Sequence, residues 1–490
     1  MARGAVWMVL LNLVERSLGT VSILILVRVL SPADFGLVAM ATAALGLTQM
    51  FVAFGFDAAI IHRQDATDEH FHTAWTLNCF LAVAVSAILV IGARPVANYY
   101  GQAGLATIVY VIAAIPLISA AENIGVVAFR KSLDFRRDFT FQICKKIASF
   151  GVTLPMALIL RSYWALVFGM IAGRLAGTVV SYIVHPFRPR FSTKHAATLF
   201  SFSKWLLFNN FINVLNDRFA DLTLGRWAGP ASLGVFNIAS EFAYLPRTEI
   251  GMPINRALYS GFAFLPDTES IRNVYCRSTE MLAIVALPAA AGLSAIAPYF
   301  VPVVLGAKWI AAVPIMQLLS ISGGVVMFQG AIATLLTARG FPSAVVFINL
   351  LYLVFLGTGA FFLMPRYGAI GTALSLLLAA ILVLPVYLAA LRRTIGIRTA
   401  DFFRSTVRSA VAAGAMYVLV RLAVDSRPIV ATDAKVVSLL IMFAVIAFGV
   451  VFFYSFLFLI WHLAGRPRGG ESTLITIALN RISRFFSRSA

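Results

Sequence analysis

The sequence predicts an all-α polytopic membrane protein of about fourteen transmembrane helices, and three observations predict it. Of 490 residues, 60% are hydrophobic and only 12% charged, with a mean hydropathy of +0.90, whereas a soluble domain carries about 25% charged residues. Apolar runs of roughly 20 residues, the length that crosses a bilayer as a helix, follow one another along nearly the whole chain, and the alternation of a membrane β-barrel is absent. Two stretches 198 positions apart also spell nearly the same thing: Arg28-Val29-Leu30-Ser31-Pro32-Ala33-Asp34-Phe35-Gly36 and Arg226-Trp227-Ala228-Gly229-Pro230-Ala231-Ser232-Leu233-Gly234. Arg, Pro, Ala and Gly recur in register, and each copy links one apolar segment to the next. The chain therefore reads as two helix bundles related by internal symmetry, the layout transporters use to hold a substrate between rocking halves.

The spans fall at roughly 5–30, 34–60, 72–98, 104–129, 139–160 and 163–184, then 200–225, 231–258, 272–302, 310–337, 342–363 and 367–391, then 403–424 and 435–463. The first run is too long for a signal-peptide core and reads as a retained span. With the N-terminus inside, the basic connections 130–137, 185–194 and 392–404 all face the cytoplasm. The other side carries isolated residues such as Arg94, Arg161, Lys308 and Arg366. Roughly 20 basic residues lie inside against about nine outside, which puts both termini in the cytoplasm. The same bias accounts for most of the net charge of +19 and leaves no basic domain for nucleic acid. Six spans precede the 185–194 loop, so the second half re-enters in the same orientation, and the repeat is parallel about an axis along the membrane normal. The expected organisation is a six-helix lobe over 1–190, a second over 195–395, two added spans over 400–464 and a basic tail over 465–490. Carried outward, the repeat offset aligns Asn12 with Asn210, Glu15 with Asn213, Gln49 with Arg247 and Asp57 with Asn255. In the tail, Ile475, Leu479, Ile482 and Phe486 share one helical face and Arg481, Arg484 and Arg488 lie off it, the pattern of an interfacial helix on an anionic leaflet.

Charge inside a span is expensive, about 2.5–3.5 kcal/mol for a central residue on insertion scales, yet here it gathers in particular spans. Span one holds Asn12, Glu15 and Arg16. Span seven holds Lys204, Asn209, Asn210, Asn213, Asn216, Asp217, Arg218 and Asp221, with a polar stripe at helical spacing. Span eight holds Glu241, Arg247, Glu249 and Arg256. Lys145 and Lys146 open span five, Arg174 lies in span six and Glu280 in span nine. Such groups must face protein or water. A single Asn serves as glue between helices, with Glu15 beside Arg16 and Asp217 beside Arg218 as local compensation, and lysines near a span end snorkel. The whole set reads as the lining of a hydrated cavity. Its cationic and polar members, Arg16, Asn12, Lys145, Lys146, Arg174, Lys204, Asn213, Arg218, Arg247 and Arg256, form the candidate substrate-binding set. Arg grips phosphate oxygens bidentately, Lys acts as a point charge, and amides suit sugar hydroxyls. Glu15, Asp217, Glu241 and Glu280 are candidates for carrying a coupling ion.

Other classes are disfavoured. There is no G-x-x-x-x-G-K-[ST] loop for ATP and no H-E-x-x-H. Cys79, Cys144 and Cys276 lack metal-ligand spacing, so no metal and no cofactor is expected. The longest outward loop, 425–434, is about ten residues by these span bounds, too short for a catalytic domain, which argues against a membrane glycan ligase or polymerase.

The segment from Arg28 through Leu37, then Phe54-Gly55-Phe56-Asp57-Ala58-Ala59, then Phe129-Arg130-Lys131 with Leu133-Asp134-Phe135-Arg136-Arg137, resembles the Wzx-type polysaccharide flippases of bacteria. These belong to the multidrug/oligosaccharidyl-lipid/polysaccharide exporter superfamily, and the likeness is greatest to its exopolysaccharide/colanic-acid-type branch. The resemblance implies two six-helix lobes, alternating access and no enzymatic activity. It implies a substrate of undecaprenyl-diphosphate-linked oligosaccharide, flipped from the cytoplasmic to the periplasmic leaflet for exopolysaccharide or lipopolysaccharide assembly. Membrane lipids, a polysaccharide polymerase and chain-length or export machinery are the implied partners. The alternatives are a cation-coupled multidrug exporter, which would want a more acidic or aromatic cavity, and a lipid II flippase.

Overall fold

The computed structural model describes residues 2–49, 56, 60, 67–132, 134–426, 435–466 and 469–470, with side chains throughout except at 2–6, 9, 49, 197–210 and 435–436. Among the described residues every regular element is helical, as expected where no water is present to satisfy the backbone. The elements are α1 (Ala2–Val29), α2 (Pro32–Gln49), α3 (Asp68–Tyr100), α4 (Leu105–Ile112), α5 (Ala114–Ala120), α6 (Val127–Lys131), α7 (Phe135–Leu160), α8 (Trp164–Val184), α9 (Ala196–Ala243), α10 (Met252–Ala263), α11 (Thr268–Phe300), α12 (Ala312–Ala338), α13 (Pro342–Ile395), α14 (Thr399–Asp425) and α15 (Lys435–Leu463).

Nine of the described helices are long and apolar enough to cross a membrane, or ten when the bent run from Leu105 to Lys131 is taken as one span. The 48-residue α9 and the 54-residue α13 would each exceed about 70 Å if straight, more than twice the roughly 30 Å hydrocarbon core. Each breaks at one glycine instead, Gly229 (φ 77°, ψ 178°) and Gly368 (φ 55°, ψ −127°). Positive φ is open to glycine at little steric cost, and Pro230 begins the new arm, where its missing N–H is not needed. Both arms of α13 and the first arm of α9 are of span length, and the short arm 230–243 is carried on by the π turn Arg247–Gly251 and α10, so the many-span helical expectation holds. The fourth span departs from it. Instead of running straight over 104–129, the chain passes through α4, α5, the 3₁₀ turn Ile124–Val126 and α6, bent by 63°. Ser86 Oγ donates to the Ala113 carbonyl (2.7 Å), the Asn123 N–H donates to Ser181 Oγ (2.9 Å), and Asn123 Oδ1 accepts from Gly125 N (2.9 Å). These bonds satisfy the backbone groups that the breaks release.

Contacts divide the chain into two units, Met1–Asn237 and Ile238–Ala490. In the first, α7 packs along both α1 and α8. Gly169, Gly173 and Gly177 recur every four residues on α8. A β-carbon there would overlap Thr153 Oγ1, press on Ser149 Cβ at 3.0 Å, or meet the Lys145 side chain at 2.9 Å, respectively. Small residues at this spacing let two membrane helices approach closely. The turn before α2 is a capping box: Ser31 donates to Asp34 Oδ2 from both N (2.9 Å) and Oγ (2.6 Å), and Asp34 N donates to Ser31 Oγ (3.3 Å). Asp34 Oδ1 accepts from Tyr163 N (3.0 Å) and so ties this turn to the start of α8.

The 185–195 connection lies as a strap along the start of α3. Asn123 Nδ2 donates to the Phe187 carbonyl (2.6 Å), Arg190 N to His72 Nδ1 (2.9 Å), Ser192 N to Thr76 Oγ1 (3.0 Å) and Ser192 Oγ to Glu69 Oε2 (3.1 Å). The His70 and His195 rings stack at 3.8 Å between centroids, and Lys194 lies 3.8 Å from Glu69. Phe187 N donates to His185 Nδ1 (3.2 Å). Burial first, then the Arg137 and Arg188 charges, holds the His185 imidazole below the ordinary histidine range. A depressed value in the docked strap means that the undocked strap takes up the proton first. Docking is therefore complete above the ordinary histidine pKa near 6.5 and weakens as pH falls below it. Amide exchange over 186–194, corrected for its intrinsic pH dependence, is expected to be faster near pH 5.5 than near pH 7.5, and His185→Gln to flatten the difference. Equal corrected rates at both pH values would remove this reading.

In the second unit α11 is central and packs against α12, α14 and α15. Arg272 grips Asp401 through Nη2 (2.7 Å) and Nε (2.9 Å), while Asp401 Oδ2 also accepts from Arg398 N at the start of α14 (3.2 Å). Gln329 Nε2 donates to the Ala380 carbonyl (2.6 Å), joining α12 to the second arm of α13, and Tyr387 OH donates to Asn349 Oδ1 (3.1 Å) between the two arms. Phe262, Tyr275, Phe328, Leu335, Tyr387 and Leu391 fill the core between them.

Candidate functional site

The repeated motif forms the first feature. A β-carbon on Gly36 would overlap the Pro230 carbonyl, and one on Gly234 would overlap the Pro32 carbonyl. The 198-position shift carries Gly36 onto Gly234 and Pro32 onto Pro230, so these are two halves of one self-complementary contact, as at a twofold axis. Turns that touch lie at the same end of their spans, whereas an inverted repeat would separate them by about 30 Å. The two hairpins are thus related as a parallel repeat, about an axis running along the helices.

Charged groups lie along the spans beside this contact. Arg218 Nη1 pairs with Asp221 Oδ2 (3.2 Å), whose carboxylate is buried, and the Arg218 stem runs over Gly46, where a β-carbon would meet Nε at 3.0 Å. The partner expected from sequence was Asp217. Adjacent residues on a helix point about 100° apart, however, and a residue three positions on lies on the same face. Tyr100 OH donates to the Asp221 carbonyl (3.3 Å) and Tyr99 OH to that of Leu222 (3.2 Å), while Arg226 lies over the Tyr99 ring. These bonds fix the first arm of α9 against the end of α3.

On α7, Lys145 and Lys146 diverge. Lys145 Nζ is 3.0 Å from Glu122 Oε2 and lies over the Phe141 ring, in the space that Gly177 leaves open. Lys146 reaches toward α1, its Nζ 3.8 Å from where a Gly19 β-carbon would sit. On α1, Glu15 and Arg16 are half-buried and Asn12 is exposed. Asn213 is half-buried, and Asp217 and Arg174 are exposed. The side chains of Lys204, Asn209 and Asn210 lie outside the described residues, as do Asp57 and the tail beyond Gly470. In the second unit, Arg247 stacks over Tyr244 (5.7 Å to the centroid) at the entry to a π turn, and Glu241 and Arg256 are exposed. Glu280 lies 3.9 Å from Arg408 and accepts a 2.6 Å hydrogen bond from Gly470 N.

The structure thus joins Lys145 to Glu122 and Arg218 to Asp221, two cation–carboxylate pairs that can exchange an internal partner for an anionic ligand. The sequence reading passed over Glu122 and the glycine ladder, and held Asp34 only as a letter of the repeated motif. The Gly-x-x-x-Gly-x-x-x-Gly spacing over 169–177 was the available signal.

Residues 25–314 match the family model described as polysaccharide biosynthesis protein. The chain belongs to that family. Within the polysaccharide biosynthesis family it is similar to the lipopolysaccharide biosynthesis protein WzxC of Escherichia coli (strain K12), 26% identical over 346 residues and 69% of each chain. It is also similar to the teichuronic acid biosynthesis protein TuaB of Bacillus subtilis (strain 168), 27% identical over 297 residues, 60% of this chain and 62% of TuaB. Among solved structures, the inward closed lipid II flippase MurJ superposes with a TM-score of 0.71 at 12% identity, covering 92% of this chain and 99% of MurJ. At that identity the likeness shows the fold alone: this family member is a multi-span helical membrane protein with the same fold as MurJ.

Proposed function

We propose that this chain is a flippase for undecaprenyl-diphosphate-linked oligosaccharide, moving it from the cytoplasmic to the periplasmic leaflet of the inner membrane, with both termini in the cytoplasm. Membership of the polysaccharide biosynthesis family over 25–314 carries the reading. The relatives named for lipopolysaccharide and teichuronic acid biosynthesis support a glycan cargo, and the transporter fold supports translocation rather than catalysis. Under this reading 1–190 and 195–395 are the two lobes, and 400–464 and 465–490 are additions. The cationic set of the first unit, Arg16, Lys145, Lys146, Lys204 and Arg218, draws the diphosphate. A diphosphate is a stronger ligand for guanidinium than a carboxylate one turn away, because it offers more oxygens to a bidentate fork. Glu122 and Asp221 hold Lys145 and Arg218 in the empty site and release them when the anion enters.

Reconstitution into liposomes with a fluorescent undecaprenyl-diphosphate oligosaccharide tests this. Dithionite quenching is expected to show protein-dependent transfer between leaflets, with no change in the glycan's mass. Transfer no faster than in empty liposomes, alongside uptake of a lipophilic cation, would assign the chain to drug export. A change in glycan mass would make it an enzyme.

A further inference from the structure

A groove of about 620 Å³ opens in the second unit between the end of α13 and the start of α14, lined by Pro385, Leu388, Ala389, Arg392, Arg393, Thr399 and Phe403. These two helices make few contacts with each other, because α14 packs along α11 instead, so no described residue fills the wedge between them. Its walls continue away from the loop as apolar stripes. On α13, Leu378, Ile381 and Leu382 are exposed below Pro385, and on α14 Val407, Val411 and Val418 follow Phe403. Both arginines sit at the mouth, in the last turn of α13, and are exposed. Among the described residues no hydrogen bond or ion pair engages either guanidinium. The carboxylate of that corner, Asp401, is already taken by Arg272 and Arg398.

We infer that this groove binds one anionic glycerophospholipid from the leaflet on the basic side, its phosphate held by Arg392 and Arg393 and its acyl chains lying in the wedge. Basic pockets between helices on that side of a membrane select anionic head groups, and exposed aliphatic stripes suit acyl chains. Charge complementarity decides the occupant. The chain's own tail carries Arg481, Arg484 and Arg488 and would be repelled. A sugar-bearing head would need amide or carboxylate partners, and the groove offers only the Thr399 hydroxyl. The site is independent of the flippase reading.

Native mass spectrometry of the purified full chain, exchanged against equimolar phosphatidylglycerol and phosphatidylcholine, tests the inference. The wild type is expected to retain phosphatidylglycerol preferentially. Arg392→Gln with Arg393→Gln should lower that preference roughly tenfold to thirtyfold, given the worth of a basic residue near an anionic surface. Ala389→Trp, which fills the groove and leaves both charges, should lower it as well. Arg136→Gln with Arg137→Gln removes the same charge from a loop of the first unit and should leave it unchanged. Unchanged preference in the groove variants, or an equal loss in the loop variant, would overturn the site. So would displacement of the retained lipid by undecaprenyl diphosphate at equimolar level, which would make the groove part of the substrate path.

Discussion

Leucine at Gly36 is expected to abolish oligosaccharide transfer, and leucine at Gly234 to abolish it to the same degree. Each substitution drives a side chain into a backbone carbonyl of the opposite hairpin, Pro230 in one case and Pro32 in the other. A carbonyl cannot rotate away as a side chain can, so the hairpins must separate. Overpacking of a tight contact costs about 1–3 kcal/mol, and at the upper end that exceeds a hundredfold in any equilibrium that needs the contact formed. The two changes are halves of one symmetric contact, so their effects should not add. Once Gly36→Leu has parted the turns, Gly234→Leu meets little further resistance, and the double variant should cost clearly less than the sum of the singles. Thermal unfolding in detergent and the liposome assay read the two consequences separately. Gly151→Ala is the control, since a β-carbon there meets nothing within 4 Å. Additive singles, or transfer retained in both, would mean that the contact is incidental packing.

The repeat that produces this contact was legible because it is written in residues whose backbone demands are local. Pro at the start of a helix and Gly at a close approach keep their identities in both copies, so the offset was visible in four matching positions. The parallel sense followed from the six spans ahead of the 185–194 loop, and of about fourteen spans expected the described helices supply nine or ten. The break at Gly229 falls between the expected spans 200–225 and 231–258, whereas that at Gly368 lies just inside the expected start of the span 367–391. The partners of the charges were not legible. Glu122 meets Lys145 only because α5 ends where α8 passes, and three glycines on α8 bring that helix within reach of α7. Nothing in the spacing of 122 and 145 announces a pair. Pairing Asp217 with Arg218 failed on geometry that a helical projection supplies, because three-residue spacing and not adjacency brings side chains together. The bend in span four was hidden for another reason. Its broken backbone is satisfied by Ser86 and Ser181, which lie on α3 and α8, and the apolar run itself reads as continuous.

A second large effect is expected at Arg218, and the structure changes how it must be tested. Arg218→Gln should lower both transfer and stability, because it leaves the buried Asp221 carboxylate without its ion-pair partner. Arg218 itself is 39% exposed, so the loss should fall between the roughly 1 kcal/mol of a surface pair and the 3–5 kcal/mol of a fully buried one. A transfer defect in this single variant therefore does not distinguish ligand binding from misfolding. The double variant Arg218→Gln with Asp221→Asn does. It removes the stranded charge along with the cation, so the unfolding midpoint should return to within a few degrees of wild type. Transfer should stay down tenfold or more if Arg218 leaves Asp221 to hold the diphosphate, since a hydrogen bond to a charged group is worth about 1.5–3 kcal/mol. Asp221→Asn alone supplies the converse. It frees a cation without stranding an acid, so affinity for the lipid-linked diphosphate should rise while release, and with it turnover, slows. Should the double variant regain transfer along with its stability, the pair is a strut between α9 and α2, and the anion is held elsewhere.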